Sequence, residues 1–147
     1  MLDYEFGPGT SKALPKSGLT FVYSKRSDRL KQVFHDEKLF VTIRPSGIIA
    51  PTYYGATVLI RSRAYAQNSV TVDRVAVPFV SEGKSVFCKF VRAVGKHVLP
   101  YGEVAVLDPE GGVIAVGSAK MHGDFMRQFN HGVAVKTRAA VSGPAGT

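Results

Sequence analysis

The chain has 147 residues, enough for one domain or two small ones, and with 45% hydrophobic and 20% charged residues its composition is globular rather than disordered. No apolar run approaches the roughly 20 residues needed to cross a bilayer, the acidic start Leu2-Asp3-Tyr4-Glu5 gives no expectation of a secretory leader, and a single cysteine, Cys88, excludes a disulfide framework and a cysteine-rich zinc site. A reducing, cytoplasmic setting is therefore expected, and a net charge of +8 favours an anionic partner, nucleic acid ahead of an anionic membrane surface.

Gly7-Pro8-Gly9 punctuates the start, and Thr10 or Ser11 is placed to cap a short helix that Pro15 stops. Thr20–Tyr23 is β-branched and aromatic and reads as a strand. A polar turn carrying Lys25, Arg26 and Arg29 follows. Leu30–His35 and Lys38–Arg44 then form two strand-like runs around Asp36-Glu37, the pattern of a hairpin. Pro45-Ser46-Gly47 ends it, and the spacing predicts a short helix over Thr52–Arg61.

Arg63–Ser69 reads as a hinge. Beyond it come short β-rich runs at Val70–Val72, Ser85–Val94, Glu103–Leu107, Gly112–Gly117 and Gly132–Arg138, which suggest a small barrel or rolled sheet. Two helical inserts fit between them. Val77–Glu82 is closed by Gly83 as a left-handed cap, and Asp124–Phe129 is expected to put Phe125, Met126 and Phe129 on one face. The Gly- and Pro-containing tail after Ala139 is expected to be mobile.

No catalytic constellation stands out. His35, His97, His122 and His131 are scattered without metal-ligand spacing, and His122 reads as a surface or capping residue. Cys88 lies between Phe87 and Phe90 and reads as a small core residue. Gly83-Lys84-Ser85 lacks the upstream glycine of a phosphate-binding loop. What remains is basic. Period-2 alternation puts Lys136 and Arg138 on one face of the last strand, and Lys84 follows a glycine turn whose backbone N–H groups are expected to be free for a phosphate.

Residues 70–138 resemble a PUA domain, the RNA-binding module named for pseudouridine synthases and archaeosine transglycosylases. The matching stretches are Val70–Asp73, Pro78–Phe87, Lys89–Val91, Gly102–Val104, Ala115–Ser118 and Gly132–Arg138. The resemblance implies a compact pseudobarrel with two helices and an RNA groove between the first helix, the glycine loop after it and the last strand. Gly83, Lys84 and Ser85 then match the loop, and Lys136 and Arg138 the strand. Asp3–Gly9, Ser24–Ser27, Thr42–Arg44 and Gly55-Ala56 are similar to the small α/β domain that precedes the PUA domain in archaeosine-type tRNA-guanine transglycosylases, with related tandem domains in archaeosine synthases.

The expected fold is thus α+β: a small α/β domain over residues 1–66, a PUA-type β pseudobarrel over 67–139 and a flexible tail over 140–147. Those transglycosylases carry a large catalytic barrel and a zinc site that 147 residues with one cysteine do not hold. The expected function is a non-catalytic RNA-binding protein without cofactor or metal. Its RNA is expected to be tRNA, and its partner a separate catalytic transglycosylase or archaeosine synthase subunit. A ribosome-biogenesis factor that binds rRNA is the alternative, followed by an RNA-modifying enzyme. The expected RNA contacts are Gly83, Lys84, Ser85, Lys136 and Arg138, with Lys25, Arg26 and Arg29 in the N-terminal turn. The contacts are expected at phosphates, because no aromatic residue is interleaved with these cations.

Overall fold

In the computed structural model, which describes residues 2–144, the chain opens with a short helix α1 (Leu2–Phe6) and a 3-10 turn at Thr10–Ala13. The expected Thr10 or Ser11 cap is not used. Gly9 occupies the cap position, and the Thr10 hydroxyl donates to the Gly7 carbonyl instead. A four-stranded antiparallel meander follows in the order β1 (Leu19–Tyr23), β2 (Leu30–His35), β3 (Lys38–Ile43) and β4 (Ile49–Pro51). The β2–β3 hairpin turns on two residues, Asp36 and Glu37, both at positive φ (48° and 71°). This is the geometry whose twist matches the flanking strands.

Helix α2 (Tyr53–Leu59) starts where Thr52 accepts from the Gly55 N–H at 3.0 Å and donates to the Leu39 carbonyl at 2.7 Å. One hydroxyl therefore caps the helix and fixes it to the sheet. The expected hinge is instead a helical turn, α3 (Arg63–Ala66), whose Tyr65 is fully buried edge-to-face against Phe6 at 5.1 Å. Asn68 closes the same joint by donating to the Phe6 carbonyl at 2.7 Å. Polar groups buried with their partners hold this segment fixed.

The second sheet has the order β11-β10-β9-β8-β5-β7, with β6 paired to β10, and curls into a nearly closed pseudobarrel. Its strands are β5 (Ser69–Val72), β6 (Val86–Phe87), β7 (Val91–Val94), β8 (Glu103–Leu107), β9 (Val113–Ala119), β10 (Val133–Ala140) and β11 (Gly143–Pro144). Helix α4 (Val77–Ser81) and the short helix α5 (Gly123–Met126) pack on it. The run expected as one strand over Ser85–Val94 is broken by a 3-10 turn at Cys88–Phe90, because β6 pairs with β10 whereas β7 crosses to β5. Cys88 is buried as expected, and burial pushes its thiol above the ordinary value. In the second insert only Met126 turns inward, while Phe125 and Phe129 stay half exposed. Strand β10 runs to a buried Ala140 and β11 folds back on it, while residues 145–147 of the expected tail lie outside the described residues.

Two apolar cores result. One fills the pseudobarrel with Val70, Val72, Val80, Val104, Val106, Met126 and Val135. The other holds Phe6, Phe40, Leu59 and Tyr65 from the N-terminal part, together with Ala105, Leu107, Val113 and Val116 from β8 and β9. Strand β8 is therefore buried on both faces, one toward each core.

Candidate nucleic-acid interface

Helix α4 ends in a Schellman motif. The Gly83 N–H donates to the Val80 carbonyl at 2.9 Å and the Lys84 N–H to the Phe79 carbonyl at 3.1 Å, with Gly83 left-handed at φ 102°. The glycine cap expected from the sequence is present. Its backbone N–H groups are consumed inside the motif, however, so they are not free to meet a phosphate. The positive charge of this loop is carried by the exposed Lys84 side chain, two residues after an exposed Glu82.

Thr137 of β10 donates to the Lys84 carbonyl at 2.9 Å, and Val135 pairs with Val86. The loop is thereby fastened beside the last strand, on which Lys136 is exposed. Arg138 does not join Lys136. The β9–β10 register slips between Thr137 and Ala139, so Arg138 is the extra residue of a bulge and period-2 alternation fails there. Its guanidinium instead pairs with Glu103 and donates to the Pro51 carbonyl at 2.6 Å. Arg138 is a strut between the pseudobarrel and β4.

Beneath Lys84 and Ser85 lies an apolar pocket of about 280 Å3 lined by Ala76, Phe79, Val80, Phe87 and Phe90. Phe79 and Phe87 are 58% and 45% exposed, so two ring faces are open to a ligand. The expectation of phosphate contacts alone leaves these rings out, since neither is interleaved with Lys136 and Arg138 on the last strand. The available signal was three phenylalanines within twelve residues around Gly83-Lys84, more than α4 and a two-residue strand can turn inward. Lys89 leans over the Phe90 ring at 5.0 Å, and Arg92 is paired with Asp73, whose carboxyl it holds below its ordinary value.

Lys25, Arg26 and Arg29 are exposed on the β1–β2 turn without an ion pair among the described residues. His122 accepts from the Asp124 N–H at 3.1 Å as a cap on α5, and no group of three His, Cys, Asp or Glu among the described residues is placed to hold a metal. No described helix is long and apolar enough to cross a membrane.

Residues 68–141 match the family model of the PUA domain. The chain belongs to the PUA domain family. Ahead of the PUA match, residues 1–65 match the patch-forming domain C2 of tRNA-guanine transglycosylase. The tRNA-guanine(15) transglycosylase of Methanocaldococcus jannaschii is 32% identical over 143 residues, 96% of this chain and 22% of that protein. The Pyrococcus abyssi enzyme of the same name is 34% identical over 142 residues, 96% of this chain and 24% of its own. This PUA protein thus spans less than a quarter of the length of these relatives.

Among solved structures, a hypothetical protein of Pyrococcus horikoshii superposes with a TM-score of 0.70 at 23% identity, over 92% of this chain and 83% of its own. A conserved PUA domain protein of Thermoplasma acidophilum gives 0.63 at 22% identity, over 87% and 81%. Both share the fold.

Proposed function

We propose that this chain is an RNA-binding protein of tRNA modification, a non-catalytic module that presents tRNA to a separate catalytic transglycosylase or archaeosine synthase subunit in the cytoplasm. In this reading residues 1–66 and 67–139 are its two working parts. The observation that carries it is the conjunction of Lys84 with the open Phe79 and Phe87 rings over one pocket, on a loop bonded to the last strand. A cation beside stacking faces is what an unpaired nucleotide needs: Lys84 and Lys136 take phosphates, and a splayed base stacks in the pocket. Likeness to archaeal tRNA-guanine(15) transglycosylases along 96% of the chain supports tRNA as the RNA. The module's mechanism is positioning, in which its grip on backbone and one base fixes where the rest of the tRNA lies.

The test is fluorescence anisotropy of labelled tRNA titrated with the full chain at several salt concentrations. With about four to six phosphates neutralised, the logarithm of affinity falls against the logarithm of salt with a slope of roughly −3 to −5. Base exchange is expected only when a catalytic subunit is added. Binding that ignores salt, or that prefers anionic vesicles to tRNA, refutes the reading.

A further inference from the structure

A cleft of about 740 Å3 lies in the N-terminal part, with lining distinct from that of the Phe79–Phe87 pocket. Lys12 and Lys16 line it from the 3-10 turn and the segment after it, Arg61 and Arg63 from the junction of α2 and α3, and His35 and Tyr54 from β2 and α2. No acidic residue lines it. All four cations are exposed, and none is in an ion pair among the described residues. Of the nearby acids, Asp36 faces His35 at 3.3 Å and Asp3 accepts from the Ser11 N–H and hydroxyl at 2.7 and 3.1 Å. Four cations without an ion pair around one concavity give a positive local potential that attracts a ligand with several negative charges.

We propose that this cleft is a second RNA site, which grips one strand of phosphate backbone. The proposal rests on the RNA-binding reading and deepens it by naming where the N-terminal part takes hold. Two arguments set the class of contact. The cations come from two separate chain segments, so a strand lying in the cleft meets positive charge from both. The ring that lines it is already engaged: Tyr54 stacks on His35 with ring centroids 6.0 Å apart, its hydroxyl is 2.6 Å from His35 Nδ1, and Lys38 Nζ stands 5.0 Å from the ring centre. The cleft therefore holds backbone without reading a base.

It is also distinct from the Lys25, Arg26 and Arg29 turn. That turn follows the Tyr23–Leu30 pair, at the opposite end of the β1–β2 ladder from the Leu19–His35 pair beside the cleft. Five residues of strand separate the two by roughly 15 Å.

The test compares tRNA binding of the full chain with that of the variant Lys12→Gln/Lys16→Gln/Arg61→Gln/Arg63→Gln, each checked by circular dichroism. The expected result is a salt slope shallower by roughly 3 and an equal loss of affinity for RNAs of different sequence. The exposed pair Lys12→Gln/Lys16→Gln, on the 3-10 turn and the segment after it, keeps the test valid if the fourfold variant does not fold, and its expected change is roughly half as large. If the variants keep the parental slope while Lys84→Gln/Lys136→Gln lowers it, the cleft proposal is overturned and RNA binding stands. If they lose binding to anionic vesicles but not to tRNA, the cleft proposal also fails. If the parent shows no salt-dependent binding to RNA, the underlying reading fails and this inference with it.

Discussion

Replacing Arg138 by alanine separates a structural role for this residue from a role in binding. Its partner Glu103 has a side chain only 3% exposed, while Arg138 itself is 33% exposed. Removing one member of a buried ion pair costs roughly 3–5 kcal/mol, because the other charge is left without compensation. Two corrections apply. Arg138 is partly solvated, and Arg44 Nη2 remains 3.4 Å from the second Glu103 oxygen, so the loss is smaller than for a fully buried pair. That oxygen has no hydrogen bond of good geometry, so the compensation from Arg44 is incomplete. The lost bond to the Pro51 carbonyl adds about 1 kcal/mol. The expected net destabilisation of Arg138→Ala is about 2–3 kcal/mol, which at this chain length lowers Tm by roughly 4–12 °C. Urea unfolding followed by circular dichroism measures it, with Lys136→Ala as a control expected within about 0.5 kcal/mol of the parent. The double variant Glu103→Gln/Arg138→Ala should recover part of the loss. An Arg138→Ala protein as stable as the Lys136→Ala control, yet defective in tRNA binding, would falsify the strut and return Arg138 to the interface.

Phe87→Ala should weaken tRNA binding by about 1–3 kcal/mol with an unchanged salt slope, whereas Lys84→Ala should make the slope shallower by about one; anisotropy across salt separates the two, and a changed slope in Phe87→Ala argues against stacking. Burial, with the Glu103 charge adding, raises the Glu5 carboxyl above its ordinary 4.5 against the pull of the Ile49 N–H and Arg44. The folded chain thus keeps that proton where the unfolded chain has lost it, and stability is forfeited as pH rises from about 4.5 through the raised value. Glu5→Gln should therefore gain on the parent as pH rises through that window, and a difference that does not vary with pH counts against the assignment. A Cβ on Gly117 would stand 2.1 Å from the Lys136 carbonyl oxygen. Gly117→Ala must therefore push β9 and β10 apart, with about 1–3 kcal/mol lost in unfolding experiments; a neutral result means the strands are less closely apposed than the structure shows.

Signals confined to a few neighbouring residues were legible in the sequence. The Asp36-Glu37 turn between two alternating runs, the helix after Thr52 and the Gly83 cap each follow from local backbone preference, and each is where it was expected. What was not legible depends on register or on which wall of the barrel a segment joins. Strand β4 is three residues long and ends in proline, too short for a pattern. The break at Cys88–Phe90 exists only because β6 and β7 have different partners. The same holds for the site. Lys84 was found from the glycine before it, but the exposure of Phe79 and Phe87 is set by packing around α4. The diversion of Arg138 arises from a single-residue slip that alternation does not encode. The cleft cations Lys12, Lys16, Arg61 and Arg63 lie far apart in sequence in two pairs, neither of which forms a charge run.

The two dry faces of β8 bear on how such a chain can be cut and recombined. Val104 and Val106 belong to the barrel, whereas Ala105 and Leu107 belong to its neighbour, so the sequence boundary near residue 66 is not a boundary in packing. A barrel excised there would carry an uncovered apolar stripe across β8 and β9, and grafting it into another protein would require polar residues at Ala105, Leu107, Val113 and Val116. Conversely, the N-terminal part taken alone would lack one wall of its own interior. Exchange of either part for an unrelated one would therefore have to come with repainting of that stripe.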